Sequence, residues 1–285
     1  MKMILSHQHL PVLMRWALSD TLMAFDFDGT LAPIVDEPDE AHMDTPTWRA
    51  LDRLAEVAQV AVVSGRSRAS LLARLPASVR YIVGNHGNEG MPGHDPDLGV
   101  QTRICQLWQR QLEETISRNP ELAGLRLENK GATLSVHHRH CEHPYALVQF
   151  LGTALTTLQP SPRLIPGIHV MNVLPPRAVT KREALAALMT DAQCDHLLFV
   201  GDDVTDELAF TRAPDSWLTI RVGDEGPSQA RYRVRHTADV AALLQRLHAL
   251  RNQPSTQTRQ SGMRRLLPAG RRRGGQGRPP DGATP

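Results

Sequence analysis

Four short apolar runs in this chain each break abruptly into a polar cluster. Thr21–Phe25 runs into Asp26-Phe27-Asp28-Gly29, residues 60–63 into Ser64-Gly65-Arg66, Tyr81–Val83 into Gly84-Asn85-His86-Gly87, and residues 197–200 into Gly201-Asp202-Asp203. A continuous apolar run of this length reads as a parallel strand buried on both faces. Helical stretches lie between the runs. Thr45-Pro46 supplies a capping residue and a first-turn proline for a helix to about Val57, Ser67 can cap another through about Leu75, and a third opens at Lys181. A strand at 218–220 and a helix near 239–250 complete the series. The alternation predicts an α/β fold, a Rossmann-like parallel sheet with crossover helices. Such sheets gather their ligands at the carboxyl ends of the strands, where the polar clusters fall.

Between about 94 and 174 the texture changes. A helix near 101–118 precedes the alternating runs 126–128 and 133–137, then come a helix near 144–158 and a strand at 169–174. Half-buried alternating strands with helices on one side predict a small α+β module inserted into the sheet domain. The expected division is a core of 1–93 and 175–250, an insert of 94–174, and a tail of 251–285. The tail carries eight arginines against Asp281, a charge of +7 within a chain whose net charge is +2. Rich in Gly, Pro, Gln and Ser, it reads as disordered, and no aromatic residue sits among its arginines to stack on a base, which argues against nucleic acid as a partner. No apolar stretch reaches the length of a membrane span, and the opening residues are too short an apolar run for a secretory signal. Three scattered cysteines, Cys105, Cys141 and Cys194, suit a reducing compartment. The chain is therefore expected to be cytoplasmic, with oligomeric state open.

Four clusters carry chemistry. In Asp26-Phe27-Asp28-Gly29-Thr30 two carboxylates end a strand, and Gly29 lets the backbone turn so that both face the crevice. One carboxylate can act as a nucleophile toward phosphorus, and the other can protonate the departing oxygen and later activate water. Ser64, with backbone N–H groups at a helix start, can hold a phosphate oxygen, and Arg66 beside it can reach a substrate anion. Lys181 falls in the first turn of a helix with capping-box spacing, Thr180 to Glu183. A cation there opposes the helix dipole, so it calls for a partner such as a transferring phosphoryl group. Asp202, Asp203, Asp206 and Glu207 crowd the end of a strand, and a hard divalent cation would relieve their repulsion. Asp26, the backbone carbonyl of Asp28 and Asp202 are the expected Mg2+ ligands, with Asp203 and Asp206 supporting them. The histidine-rich stretch 137–143 has zinc-ligand residue types, but on an alternating strand its side chains point to opposite faces.

Nucleophile strand, hydroxyl loop, lysine and acid loop, in that order, resemble the haloacid dehalogenase superfamily of phosphohydrolases. The resemblance covers nearly all of residues 20–245 and implies a magnesium-dependent phosphatase with a cap over the sheet. The stretches Gly84-Asn85-His86-Gly87-Asn88-Glu89, Leu127-Glu128-Asn129-Lys130 with His137-His138-Arg139, and Gly201-Asp202-Asp203-Val204-Thr205-Asp206-Glu207 are similar to those of trehalose-6-phosphate phosphatases. That resemblance implies sugar contacts from Glu128, Lys130 and Arg139 and a place in trehalose biosynthesis. His86, at a strand end, is a further candidate for binding substrate. Two departures stand out: Asn172 replaces a usual glutamate, and Arg182 a usual glycine. They leave open another capped sugar phosphatase, acting on sucrose 6-phosphate or a mannosyl ester. A catalytically silent binding module is the other alternative, and such a chain would typically have lost Asp26, Asp28, Lys181 or Asp202.

Overall fold

A computed structural model describes residues 2–93, 98–167, 169–224 and 226–252. The elements in chain order begin with β1 (Lys2–Met3), α1 (Leu10–Leu18), β2 (Thr21–Phe25), α2 (Thr45–Val57), β3 (Gln59–Val63), α3 (Arg68–Leu72) and β4 (Tyr81–Val83). Next come α4 (Leu98–Ser117), β5 (Arg126–Asn129), β6 (Leu134–His137), α5 (Pro144–Gln149), β7 (Arg163–Gly167) and β8 (Val170–Leu174). The chain closes with α6 (Lys181–Asp191), β9 (His196–Gly201), α7 (Val204–Phe210), β10 (Trp217–Val222), β11 (Tyr232–Val234) and α8 (Thr237–Arg251). Of the arginine-rich segment 251–285, all but its first two residues lies outside the described part.

Seven strands form one sheet in the order β1-β11-β10-β9-β2-β3-β4, and every neighbouring pair is parallel. Period-two alternation decides which helix layer each side chain meets. Met23, Phe25, Leu198 and Val200 face a layer made by α1, α2 and α8. Leu22, Ala24, Leu197 and Phe199 face α6 and α7. Both faces are thus dry, which explains the unbroken apolar runs. Pairing of Phe25 with Val200 on one side and Val62 on the other sets three strand ends level. Asp26, Ser64 and Asp202 therefore emerge along one edge.

Four strands form a second, antiparallel sheet, β5-β6-β8-β7, whose two faces differ. Leu134, Val136 and Val173 pack against Trp108 and Leu112 of α4, and Phe150 joins them from the wider turn 150–154 that follows α5. The helix expected over 144–158 is thus a short α-helix running into a wider turn. On the opposite face, register aligns Glu128, Ser135 and Asn172 in one row. Two capping expectations fare differently. Thr180 and Glu183 do form a capping box, but α2 is capped by Asp44, which accepts the Thr47 N–H at 2.8 Å, so Thr45 lies inside the helix. An ionised oxygen one residue earlier reaches the free N–H better than the threonine hydroxyl can.

Phe199 fills the interior between β9 and α7, fully buried, with its ring centroid 5.6 Å from that of Phe210. Replacement Phe199→Ala is expected to cost about 3–5 kcal/mol in urea unfolding. A loss under about 1 kcal/mol would show that this interface does not hold the layers together.

Candidate active site

Lys181 opens α6 with its aliphatic stem inside the protein and its ammonium between two carboxylates. Nζ lies 2.8 Å from Asp26 Oδ2 and 2.8 Å from Asp206 Oδ1, and all three side chains are buried. Asp206 spends its other oxygen on the backbone, accepting the N–H groups of Asp202 and Asp203 at 3.0 Å each. Asp206 thereby fixes both the lysine and the turn that carries Asp202. Gly201 admits it, because a Cβ there would come within 2.4 Å of the Asp206 carboxyl carbon.

Asp26 Oδ1 accepts the Phe27 N–H at 2.7 Å. Asp202 is held by the Thr30 hydroxyl at 3.1 Å and lies against Gly29, where a Cβ would fall 1.9 Å from Asp202 Oδ2. Gly29 also has φ of 74°, so both space and backbone require glycine. Asp28 turns toward the half-exposed side of the cleft, where Arg66 donates to both its oxygens at 2.7 Å through Nε and Nη2. That guanidinium also lies 5.4 Å from the Phe27 ring centroid. Ser64 is buried at the end of β3, and its hydroxyl oxygen accepts the Arg66 N–H at 3.3 Å.

Charge in this cluster is unbalanced. Burial, which the Lys181 charge only partly offsets, together with the charges of Asp206 and Asp28, pushes the Asp26 carboxyl up to about 8. Burial and the charges of Asp26 and Asp206 likewise raise Asp202 well above the usual carboxylate range. Burial disfavours the Lys181 ammonium too, but Asp206 and Asp26 outweigh it and keep it protonated. Among the described residues, Asp26, Asp202 and Asp206 present carboxylate oxygens within 4.8 Å of one another. Three acids against one ammonium, all oxygen donors, fit a hard divalent cation. Asp206 is committed to the ammonium and two backbone N–H groups, against the ammonium and one N–H for Asp26 and one hydroxyl for Asp202, so the last two keep the freer oxygens.

The polar row of the second sheet looks toward this cleft. Lys130 Nζ donates to the Gly65 carbonyl at 3.3 Å and lies 3.5 Å from Glu128, so residues 128 and 130 share a face. Glu128 accepts from His137 Nε2 at 2.8 Å. Burial alone would raise the Glu128 carboxyl, but His137 and Lys130 bring it down to about 2. Asn172 is buried and accepts the Ser135 hydroxyl at 2.9 Å. His86 rests on Gly65, where a Cβ would lie 2.7 Å from the ring, and among the described residues neither ring nitrogen has a hydrogen-bond partner at ordinary length. The Asn172 side chain stands beside it. Burial, then the charges of Lys181 and Lys130, keep this imidazole neutral. Arg139 is placed differently: it pairs with Asp36 in the loop after β2, and no ion pair among the described residues joins it to Glu128. Thr30, which steadies Asp202, belongs to the run Asp26–Thr30, yet nothing in the local pattern points to a partner 172 residues away.

A parallel sheet whose middle strands deliver a buried aspartate, a hydroxyl and an acid loop to one edge, met there by a lysine from the first turn of α6, defines the haloacid dehalogenase class of phosphohydrolase folds. A trehalose-phosphatase family profile matches residues 24–236, and the chain belongs to that family. It is 31% identical over 234 residues to the trehalose-6-phosphate phosphatase of Escherichia coli K12, covering 78% of this chain and 84% of that one. With a probable trehalose-phosphate phosphatase 2 of Oryza sativa subsp. japonica it shares 30% identity over 78% of this chain and 66% of the relative, so it spans just under two thirds of that protein. The crystal structure of a trehalose-6-phosphate phosphatase related protein superposes with a TM-score of 0.63 at 25% identity, covering 80% of this chain and 97% of that one.

The raised Asp26 carboxyl has a consequence for stability. Between the ordinary 3.8 and about 8 the folded protein keeps a proton that the unfolded chain has released. Protonation therefore favours the fold fully below that window, and the benefit is lost as pH rises through it. In metal-free protein, the thermal midpoint of Asp26→Asn should gain on that of the unsubstituted chain as pH rises across the same window. Parallel pH profiles by calorimetry would contradict this account of the charge.

Proposed function

We propose that this chain hydrolyses trehalose 6-phosphate to trehalose and phosphate through a phosphoryl-aspartate on Asp26. The observation that carries the reading is the buried Lys181 ammonium, 2.8 Å from Asp26 and 2.8 Å from Asp206, at the carboxyl edge of the sheet. Asp26 attacks phosphorus and the bond from phosphorus to the sugar oxygen breaks. Asp28, released from Arg66, gives that oxygen its proton. Asp28 then takes a proton from water, which attacks phosphorus and frees Asp26. Lys181 and Ser64 hold the phosphoryl oxygens, mainly by positioning and electrostatics.

Mg2+ is the proposed cofactor. Asp26, Asp202 and the backbone carbonyl of Asp28 would hold it, with Asp203 and Asp206 supporting them, and it would offset repulsion between the Asp26 carboxylate and a dianionic phosphate. The unit 94–174 is read as a cap that covers the strand ends and selects the sugar. Glu128, Lys130, Asn172 and His86 would grip sugar hydroxyls, a task suited to charged and bifunctional donors. Arg139 would join them on leaving Asp36, and Arg66 would turn to the substrate on leaving Asp28.

Asp26→Asn should fold and lose at least about a thousandfold in kcat, equivalent to about 4 kcal/mol at the transition state. Near-normal turnover in that variant would remove Asp26 as nucleophile. Chelator should abolish phosphate release and Mg2+ restore it; turnover indifferent to chelation would end the metal assignment. A panel of trehalose 6-phosphate, sucrose 6-phosphate and mannosyl phosphoesters tests the substrate, with trehalose 6-phosphate expected to give the highest kcat/KM. A higher value for either rival would reassign the sugar.

A further inference from the structure

The loop from Gly84 to Glu89 is bent more sharply than ordinary side chains allow. Asn85 and His86 have φ of 47° and 59°, and Gly87 follows at 122°. Non-glycine residues rarely adopt this conformation, and two in succession persist only where their surroundings impose it. What the bend achieves is visible in Asn88, which is fully buried. Its Oδ1 accepts the Val179 N–H at 2.7 Å, and its Nδ2 donates to the Val179 carbonyl at 3.0 Å and to the Asn85 carbonyl at 2.7 Å. A single carboxamide thus binds both peptide groups of one residue, as a neighbouring strand would, and ties them to its own loop.

Val179 stands two residues before Lys181. Thr180, between them, is fixed from the other side, since its N–H donates to Glu183 at 2.7 Å. Gly87 packs so closely onto the same turn that a Cβ would come within 2.8 Å of the Ala184 Cβ and 3.3 Å of the Thr180 carbonyl oxygen. The loop is itself anchored: the Asn85 side chain donates to Glu89 at 2.6 Å and to the Lys130 carbonyl at 3.0 Å, and accepts from Thr133 at 2.9 Å. Lysine is a long side chain with several free torsions. Its ammonium reaches two carboxylates at once only if the backbone at 181 is held in place.

We propose that Asn88 is a positioning residue for Lys181, holding the Val179 peptide groups so that the first turn of α6 delivers the ammonium between Asp26 and Asp206. The proposal rests on the phosphoryl-transfer reading of Lys181 given above. An aspartate at 88 is isosteric but cannot donate to the two carbonyls, and a serine is too short to bridge both groups of Val179. A displacement of about 1 Å at a group that aligns reactants costs on the order of a hundredfold in rate.

The test is steady-state kinetics of Asn88→Asp and Asn88→Ser on trehalose 6-phosphate with Mg2+, alone and in a Lys181→Ala background, with melting temperatures recorded. The serine variant serves if the aspartate fails to fold. Expected is a fall in kcat of about ten- to a hundredfold with KM changed by less than about threefold, and no further fall once Lys181 is alanine. Folded variants with unchanged kcat would overturn the proposal and leave the function standing. An equal loss in both backgrounds would also overturn it, because Asn88 would then act by another route. If the unsubstituted chain releases no phosphate, the functional reading fails instead. The crystal structure of the Asn88 variant then decides, since both 2.8 Å Lys181 contacts preserved would overturn the positioning role and displacement of Nζ would support it.

Discussion

A buried ammonium held between two buried carboxylates is the interaction on which the rest of this structure depends. Taking ionised groups out of water costs several kcal/mol per ion, and mutual attraction recovers it only with close geometry and further hydrogen bonds. The geometry is supplied by Asp206, which holds Lys181 on one oxygen and two backbone N–H groups on the other. The two acids nearest it are placed relative to it. Asp202 rides on the turn it fixes, and Asp26 faces the same ammonium. With Asp202 added, the acids outnumber what one lysine can neutralise, an imbalance that a cation could relieve.

Position follows from the sheet. Parallel pairing of β2 with β3 and β9 brings strand ends far apart in sequence to the same level. Glycine then permits each close approach: Gly29 for Asp202, Gly201 for Asp206, Gly65 for His86. The second sheet adds a row of polar side chains from its one hydrophilic face, its other face being committed to α4 and the turn after α5. Two arginines stand apart from that row, Arg66 on Asp28 and Arg139 on Asp36. Both bind carboxylates through charge-assisted contacts that a phosphate or sugar could also satisfy, so each has an exchange of partners open to it.

Much of the scaffold was legible from residue order. Dry strands such as Thr21–Phe25 announce themselves because both faces are buried and no polar residue interrupts them. Two strands at one side of the large sheet did not: β1 is two residues long, β11 three, and neither carries a pattern above that of a loop. Strand β7 contains Pro166 and Gly167, residues that depress any strand reading, and it survives at the outer edge of the smaller sheet where a missing donor costs little. The helix α7 was concealed by its own acids, which read as a metal loop although Asp203 and Asp206 also begin a helix.

What the sequence determined by itself was the chemistry available: a carboxylate pair closing one strand, an acid loop closing another, a lysine at a helix start, and the apolar runs that force all of them to one edge. Those properties reside in local pattern and residue type. Only the tertiary structure decided the partners. That Asp206 rather than Asp28 meets the lysine, that Arg66 holds Asp28, that Thr30 steadies Asp202 and that Asn88 grips Val179 are contacts between residues up to 172 positions apart. Side-chain hydrogen bonds depend on ångström-scale distance and direction, and no one-dimensional spacing encodes these until the strands have paired.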